Sequence, residues 1–226
     1  MKTIVINASH RKDGATAKVL NEFVSHLKDG NAEISMFHLS DLDINFCTGC
    51  CGCYKTGHCF LDDDTEKLSQ EIAKADSIII GTPCYASGMS GQLKTVIDRG
   101  HFVIEQLLKG KHAIGVVTFE NAGGASVWKS LKNLFVFSGA STVDKLVVKT
   151  PFNSDPLGNP NIKNKIKKKS IKLLKAVRNN KTSFMCRLTN LFVLNFGIKP
   201  FVSKKGEAYQ GVLKHWKERG ISHKTT

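Results

Sequence analysis

Lys2-Thr-Ile-Val-Ile-Asn-Ala-Ser-His-Arg-Lys-Asp-Gly-Ala-Thr16 begins as a run of strand-forming residues, passes through a polar loop, and ends on a hydroxyl residue where a helical pattern starts. Residues 16–28 carry apolar side chains at helical spacing, and 33–38 return to strand character. The same succession recurs along the chain. Strands are expected at 3–7, 33–38, 77–82, 113–118 and 145–149, and helices at 16–28, 65–74, 91–108, 125–137 and 161–178. Such alternation marks a parallel sheet, because a parallel crossover needs a dozen or more residues and strands covered by helices on both faces are apolar throughout. The expected fold class is α/β, a doubly wound sheet of five strands.

Composition agrees and narrows the function. The 226 residues are 41% hydrophobic and 23% charged, which excludes collagen, a disordered chain and a membrane channel. The formal charge of +14 is unevenly spread: residues 1–100 hold 10 Lys/Arg against 13 Asp/Glu, and residues 101–226 hold 23 against 6. The back half contains no aromatic-interleaved basic motif and no recognition helix, so a nucleic-acid partner is not expected. In 161–178, Ile162, Ile166, Leu173, Leu174 and Val177 recur at helical spacing with lysines on other faces, which reads as a covering helix with a solvated basic side. Residues 184–202 are apolar but interrupted by Arg187, Asn190, Asn195, Gly197, Lys199 and Pro200, a poor bilayer span. Packing on the domain, on a second subunit or on a membrane surface are the three readings of that run. The chain divides into a sheet domain, 1–178, and an extension, 179–226. With no leader ahead of the first strand, the expected compartment is a reducing cytoplasm.

The first loop reduces to Ser9-x-Arg11-x-x-Gly14-x-Thr16 before its helix. Free N–H groups at a helix start, two hydroxyls and a guanidinium all donate to an anion, and bonds involving a charged group contribute roughly 1.5–3 kcal/mol each. A polar turn capped by Thr16 is the plainer alternative. The chain has no G-x-x-x-x-G-K-[ST] and no G-x-G-x-x-G after the first strand, leaving a mononucleotide phosphate as the fitting ligand.

After the third strand stand Pro83-x-Tyr85 and then Ser90-x-x-Leu93-Lys94-x-x-Ile97-Asp98-Arg99. Together with the Ser9-to-Thr16 loop, this resembles the flavodoxin-like NAD(P)H-dependent FMN reductases over roughly residues 1–150. The resemblance implies strand order 2-1-3-4-5 and FMN in the crevice between the first and third strands, for which flavodoxin is a known example. It implies that Ser9, Arg11, Gly14, Ala15, Thr16 and Ala17 hold the phosphate. Pro83, Cys84, Tyr85, Ala86, Ser87 and Gly88 would bound the isoalloxazine ring. The loop after the fourth strand, through Thr118, Asn121, Gly123 and Gly124, is a further flavin-site candidate, with a simple glycine turn as its alternative. Asp98 and Arg99 read as structural partners at a helix end.

Five cysteines fall between Cys47 and Cys59. The spacing Cys47-x2-Cys50-x2-Cys53-x5-Cys59, followed by three aspartates, resembles the iron-sulfur flavoproteins, a branch of the same family with a four-iron cluster. Four thiolates on one short loop suit such a cluster, with Cys51 as a spare thiol. Relatives without a cluster also carry cysteines here, so a metal-free loop is equally open, and a four-thiolate zinc site is a third reading. Cys84 and Cys186 stand apart; His10, His58 and His101 show no partners.

The function implied is an FMN oxidoreductase that accepts a hydride from NADH or NADPH at flavin N5 and passes electrons to a quinone, a nitro compound or an electron-transfer protein. The cofactor carries the difficult chemistry, so no catalytic triad or carboxylate pair is needed. An iron-sulfur electron carrier without a nicotinamide site is the alternative, and a nucleic-acid or anionic-membrane module a more distant one. The family resemblance implies a homo-oligomer.

Overall fold

A computed structural model describes residues 1–222. Strands β1 (Lys2–Asn7), β2 (Glu33–His38), β3 (Ser77–Tyr85), β5 (His112–Phe119) and β6 (Ser141–Lys149) form one parallel sheet in the order β2-β1-β3-β5-β6. A two-residue strand, β4 (Gly88–Met89), folds back antiparallel on β3. Without that hairpin strand, the order is the expected 2-1-3-4-5.

Alternation along the strands divides the core in two. Ile4, Ile6, Ile78, Ile80, Ala113 and Val117 pack against α3 (Asp64–Lys74), α4 (Gly91–Arg99) and α5 (Gly124–Phe137). Val5, Ile79, Ile114, Val116, Leu146 and Val148 face the other way, onto α1 (Ala15–Asp29) and α6 (Pro160–Arg178). Helix α1 lies so close to β3 that a Cβ on Gly81 would stand 2.6 Å from Leu20 Cδ1. The basic side of α6 is partly held by Asp144 on β6, which accepts from Lys169 at 2.6 Å and Lys172 at 2.9 Å.

Three expected boundaries move. The helix expected over 91–108 ends at Arg99, and Phe102, Leu107 and Leu108, whose spacing extended the pattern, are buried in a turn-rich segment in which His101 and Gln106 adopt positive φ. A Cβ at Gly100 would meet the Val96 carbonyl at 2.5 Å. Strand β3 runs on to Tyr85. Strand β6 starts at Ser141, four residues before the expected start, because it is an edge strand whose polar positions Ser141, Thr142 and Asp144 hide its period.

The extension beyond α6 is helical: α7 (Phe184–Phe192), a π-helical stretch (Val193–Ile198), α8 (Lys199–Ser203) and α9 (Gln210–Glu218). Leu194, Ile198, Val202, Tyr209, Val212, Trp216 and Ile221 make a third core, packed on Val103, Ile104 and Tyr54. Tyr54 lies on the short helix α2 (Gly52–Thr56) in the cysteine loop and stacks on Tyr209 with ring centroids 4.7 Å apart. The described part of the extension therefore packs on the sheet domain and on the cysteine loop; residues 223–226 lie outside the described residues. Among the described residues no helix is long and apolar enough to cross a membrane.

Candidate functional site: a cleft at the carboxyl ends of the strands

Loops leaving β1, β3, β5 and β6 meet at the carboxyl edge of the sheet around a cleft of about 180 Å³. This is where an open α/β sheet presents backbone groups not spent on its ladder. One end of the cleft is the start of α1. The Ala8 N–H donates to Gly81 O at 2.8 Å, the Ser9 N–H to Asn7 Oδ1 at 3.1 Å, and the Arg11 N–H to Ser9 Oγ at 3.2 Å. The first helical bond of the following turn is Lys18 N–H to Gly14 O. Helix geometry leaves the N–H groups of Ala15, Thr16 and Ala17 ahead of that bond without helical acceptors. The N-cap is Gly14, no side chain caps the helix, and its first turn has no acidic residue. An anion is therefore the complement of this helix end.

The hydroxyls of Thr16 and Thr118 share a buried 2.7 Å hydrogen bond. Sequence reasoning assigned these residues to opposite ends of the ligand, whereas the fold joins them. The Arg11 guanidinium donates to Asn153 Oδ1 at 2.7 Å and lies 4.7 Å from the centroid of the Phe152 ring.

The other end is the β3–β4 hairpin. Cys84 pairs with Met89 and Tyr85 with Gly88, leaving Ala86 and Ser87 as a two-residue turn, both at positive φ. That is the geometry of the tightest hairpin turns and is strained for residues with a Cβ. Thr82 Oγ1 donates to Pro83 O at 2.9 Å and accepts from the Ser90 N–H at 3.1 Å, pinning the base of the hairpin. Tyr85 is exposed beside the cleft.

Of the expected ligand residues, Ser9, Arg11, Ala15, Thr16, Pro83, Cys84, Tyr85 and Thr118 line the cleft. Gly14, Ala17, Ala86, Ser87, Gly88, Asn121, Gly123 and Gly124 are not among its lining residues; Ala86, Ser87 and Asn121 are exposed, whereas Ala17 is buried. Gly123, at φ +87°, has room for no side chain: a Cβ there would stand 2.7 Å from Ser87 Cα and 2.8 Å from Cys84 Sγ. Phe119, Glu120, Thr150, Pro151, Phe152 and Asn153 complete the lining and were missed from sequence. Their signal was positional, since the last four directly follow the last strand at the same sheet edge. Glu120 Oε1 accepts from the Phe152 N–H at 3.0 Å, tying the two loops together.

The donor set fits a flavin mononucleotide. Free N–H groups, Ser9 and Arg11 suit a dianionic phosphate, and Pro83, Tyr85 and Phe119 offer apolar walls to a flat ring.

The cysteine loop follows β2 at the same edge. Gly49, Cys51 and Gly57 are all at positive φ, so the loop doubles back on itself. It is anchored from a distance. The Arg99 guanidinium pairs with the buried Asp63 carboxylate and donates to Asn45 O at 3.0 Å and to Cys59 Sγ at 3.2 Å. Asp63 also caps α3 through the Thr65 N–H. Although burial opposes its charge, the Arg99 bond and the Asn45 and Thr65 N–H groups hold its carboxyl well below the usual carboxylate range. At the other side His215 on α9 bonds Gly57 O at 2.6 Å. His215 also approaches the buried Glu105 at 3.5 Å, and Glu105 pairs with His101 at 2.5 Å. His101, read from sequence as partnerless, is thus a buried member of an ionic cluster, and His10 bonds Gln92 at 3.0 Å.

Burial pushes the Cys53 thiol up to about 11, with smaller contributions from Glu105, Cys59, Cys50 and Cys47. The Gly52 N–H, together with Thr48, draws Cys50 down. The four expected ligands thus share one electrostatic neighbourhood, and all are free thiols. They are not gathered: among the described residues no group of three or more His, Cys, Asp or Glu is placed to hold a metal ion. Of the residues of α2, Tyr54 turns toward the third core, where it stacks on Tyr209, while Cys50 and Cys51 beside it are exposed. Four thiols on a glycine-rich loop nonetheless have the donor chemistry an iron-sulfur cluster requires.

Residues 1–154 match the family described as NADPH-dependent FMN reductase. An iron-sulfur flavoprotein of Clostridioides difficile (strain 630) is 35% identical over 221 residues, covering 96% of this chain and 98% of that protein, so the likeness takes in the extension as well. Among solved structures, a flavone reductase superposes with a TM-score of 0.65 at 17% identity, over 80% of this chain and 64% of the other. An NADH:FMN oxidoreductase in its apo form superposes with a TM-score of 0.58 at 17% identity, over 82% and 93%. At such identities the structural likeness is one of fold. The order of the sheet, the uncapped helix end beside Arg11 and the match over residues 1–154 agree, and the chain belongs to the NADPH-dependent FMN reductase family, in its iron-sulfur flavoprotein branch.

Proposed function

We propose that this protein is an FMN-dependent oxidoreductase that takes reducing equivalents from NADH or NADPH and delivers them to a quinone, a nitro compound or an electron-transfer protein. The observation that carries the proposal is the α1 terminus. Arg11, Ala15 and Thr16 line the cleft there, at a helix start with no side-chain cap and no acidic residue, and Pro83 and Tyr85 line the same cleft. When bound, FMN supplies both two-electron and one-electron transfer.

The chain's own contribution is to bind and orient. Ser9 and Arg11 and the N–H groups of Ala15, Thr16 and Ala17 take the phosphate. The Thr16–Thr118 bond fixes the α1 terminus to β5, so that the helix end does not shift when the anion arrives. Tyr85 and Pro83 flank the ring and leave its outer side accessible to a nicotinamide or an acceptor.

Cys47, Cys50, Cys53 and Cys59 are the proposed ligands of a four-iron cluster, supported by their spacing and by the full-length likeness to an iron-sulfur flavoprotein. That same likeness favours a second reading, an electron carrier that exchanges electrons with protein partners and lacks a nicotinamide site.

Anaerobic mixing of the FMN-loaded protein with NADH, and separately with NADPH, tests the first reading. Rapid bleaching of the flavin absorbance with either is expected; no bleaching with both would leave the carrier. Iron and acid-labile sulfide assays on anaerobically purified protein test the cluster, with iron absent from flavin-replete protein as the outcome against it.

A further inference from the structure

The cleft and the cysteine loop leave the most apolar exposed surface of the molecule unexplained. Along α7 and the π-helical stretch, Phe184, Leu188, Phe192 and Phe196 follow one another every four residues and are 74%, 50%, 63% and 73% exposed, with Met185 beside them. The opposite row, Leu194, Ile198 and Val202, is buried in the third core. Residues 184–203 thus form an amphipathic helix whose inner side is satisfied by its own domain and whose outer side is not. Helix α7 itself has no buried residue. Four large side chains aligned in this way are not the scattered apolar residues of an ordinary surface.

Charge decides what covers it. From residue 156 to residue 206 the chain contains 13 Lys/Arg and no Asp or Glu. The two features adjoin in space: a hollow of about 590 Å³ is lined by Lys168, Ile171, Lys172 and Lys175 of α6, by Lys181, and by Ser183, the residue that precedes Phe184. Lys172 is engaged by Asp144, whereas Lys168 and Lys175 have no ion pair among the described residues. Further along, Lys205 Nζ lies 5.3 Å from the centroid of the Phe201 ring. A second copy of this chain would bring a like-charged face against its own. An apolar stripe edged mainly by cations, with Asp144 already paired to Lys169 and Lys172, is complementary to a surface that is apolar within and anionic outside.

We infer that residues 184–203, with the lysine-lined hollow of α6, dock the protein on an anionic lipid bilayer surface. The helix lies in the plane of the interface, Phe184, Leu188, Phe192 and Phe196 enter the acyl boundary, and Lys168 and Lys175 meet headgroup phosphates. The inference does not depend on the redox reading.

The test is flotation of the full chain with vesicles. Binding to mixed phosphatidylcholine and phosphatidylglycerol vesicles is expected, with none detected on phosphatidylcholine alone. Lys168→Gln and Lys175→Gln each weaken binding about fivefold, as expected for one cation near a charged leaflet. The combined variant Phe184→Ser, Leu188→Ser, Phe192→Ser, Phe196→Ser abolishes flotation; Phe192→Ser alone, which removes one exposed ring, weakens it measurably while the far-ultraviolet dichroism stays unchanged. Absence of flotation with either vesicle, equal binding to both, or indifference to the serine variants would overturn the inference. So would a sedimenting dimer of the parent chain that the fourfold variant converts to monomer, since the stripe would then face a second copy.

Discussion

The loops after β1 and β2 leave the same edge of the same sheet, and they are held by different means. The first is stitched to its immediate surroundings: Ser9 to Asn7, Ala8 to Gly81, Thr16 to Thr118. Its anion-binding shape follows from strand register and from where a helix starts. The second has no fully buried residue in its short helix and is held by distant residues, by Arg99 and Asp63 on one side, by Tyr209 stacked on Tyr54, and by His215 on the other. A site made of backbone donors is complete once the sheet forms. A site proposed on four free thiols, which are not gathered in the fold, would have to close on what it binds.

The largest expected effect separates the two. Arg99→Ala leaves the buried Asp63 carboxylate unpaired, and breaking such a pair costs about 3–5 kcal/mol. In a chain of this size that lowers Tm by roughly 6–20 °C in thermal unfolding. Iron retention should fall with it, whereas FMN affinity per folded molecule should hold; equal loss of both would show that the loops are not independent. Because the folded Asp63 carboxyl is depressed, its contribution is present above the unfolded value near 4 and fades as pH falls below it, so the variant should lose less than the parent on acidification.

The reverse substitution in the first loop comes next. Arg11→Ala raises the FMN dissociation constant roughly ten- to a hundredfold, by loss of a bond to a charged group, in a fluorescence titration. Iron content should not change.

A smaller effect probes strain in the cleft wall. Ala86→Gly relieves a left-handed residue with a Cβ and is expected to stabilise by about 1 kcal/mol, seen as a Tm rise of roughly 2–4 °C. A fall in Tm would mean that the methyl group contributes more by packing than it costs in conformation.

A last effect, confined to alkaline pH, lies away from both loops. Burial, with a lesser contribution from Arg219, pushes Lys111 down to about 8, and its ammonium donates to Ala73 O and Ala75 O at 2.7 Å each. Between about 8 and the unfolded value of about 10.4 the folded chain has already released the proton, so this residue makes stability rise with pH there. Lys111→Met should remove that rise in a pH series of unfolding curves without touching FMN or iron.

How much was legible follows from the range of the interactions. Strand β1 and helix α1 were readable because Ile4, Val5 and Ile6 and the 3.6-residue period of Val19, Leu20, Phe23 and Leu27 are local signals. Strand β6 was read short because an edge strand keeps polar residues, and α4 was read long because Phe102, Leu107 and Leu108 are apolar for tertiary reasons. The α1 end of the cleft was visible as a motif, whereas Thr150 to Asn153 was not, since nothing local says that this turn faces Arg11 across 142 residues. Likewise, Glu105 lies four residues from His101, but nothing local relates that pair to His215.

The sequence by itself determined the alternation of strands and helices, the residues of the polar loop that line the α1 end of the cleft and the concentration of thiols, because each is set by neighbours within a few positions. Only the tertiary structure decided that Thr16 meets Thr118, that Arg99 and His215 hold the cysteine loop, and that one side of residues 184–203 is buried while the other is bare. Those are consequences of which surfaces the sheet order brings together, and sheet order is fixed by summed burial over the whole chain rather than by any stretch of it.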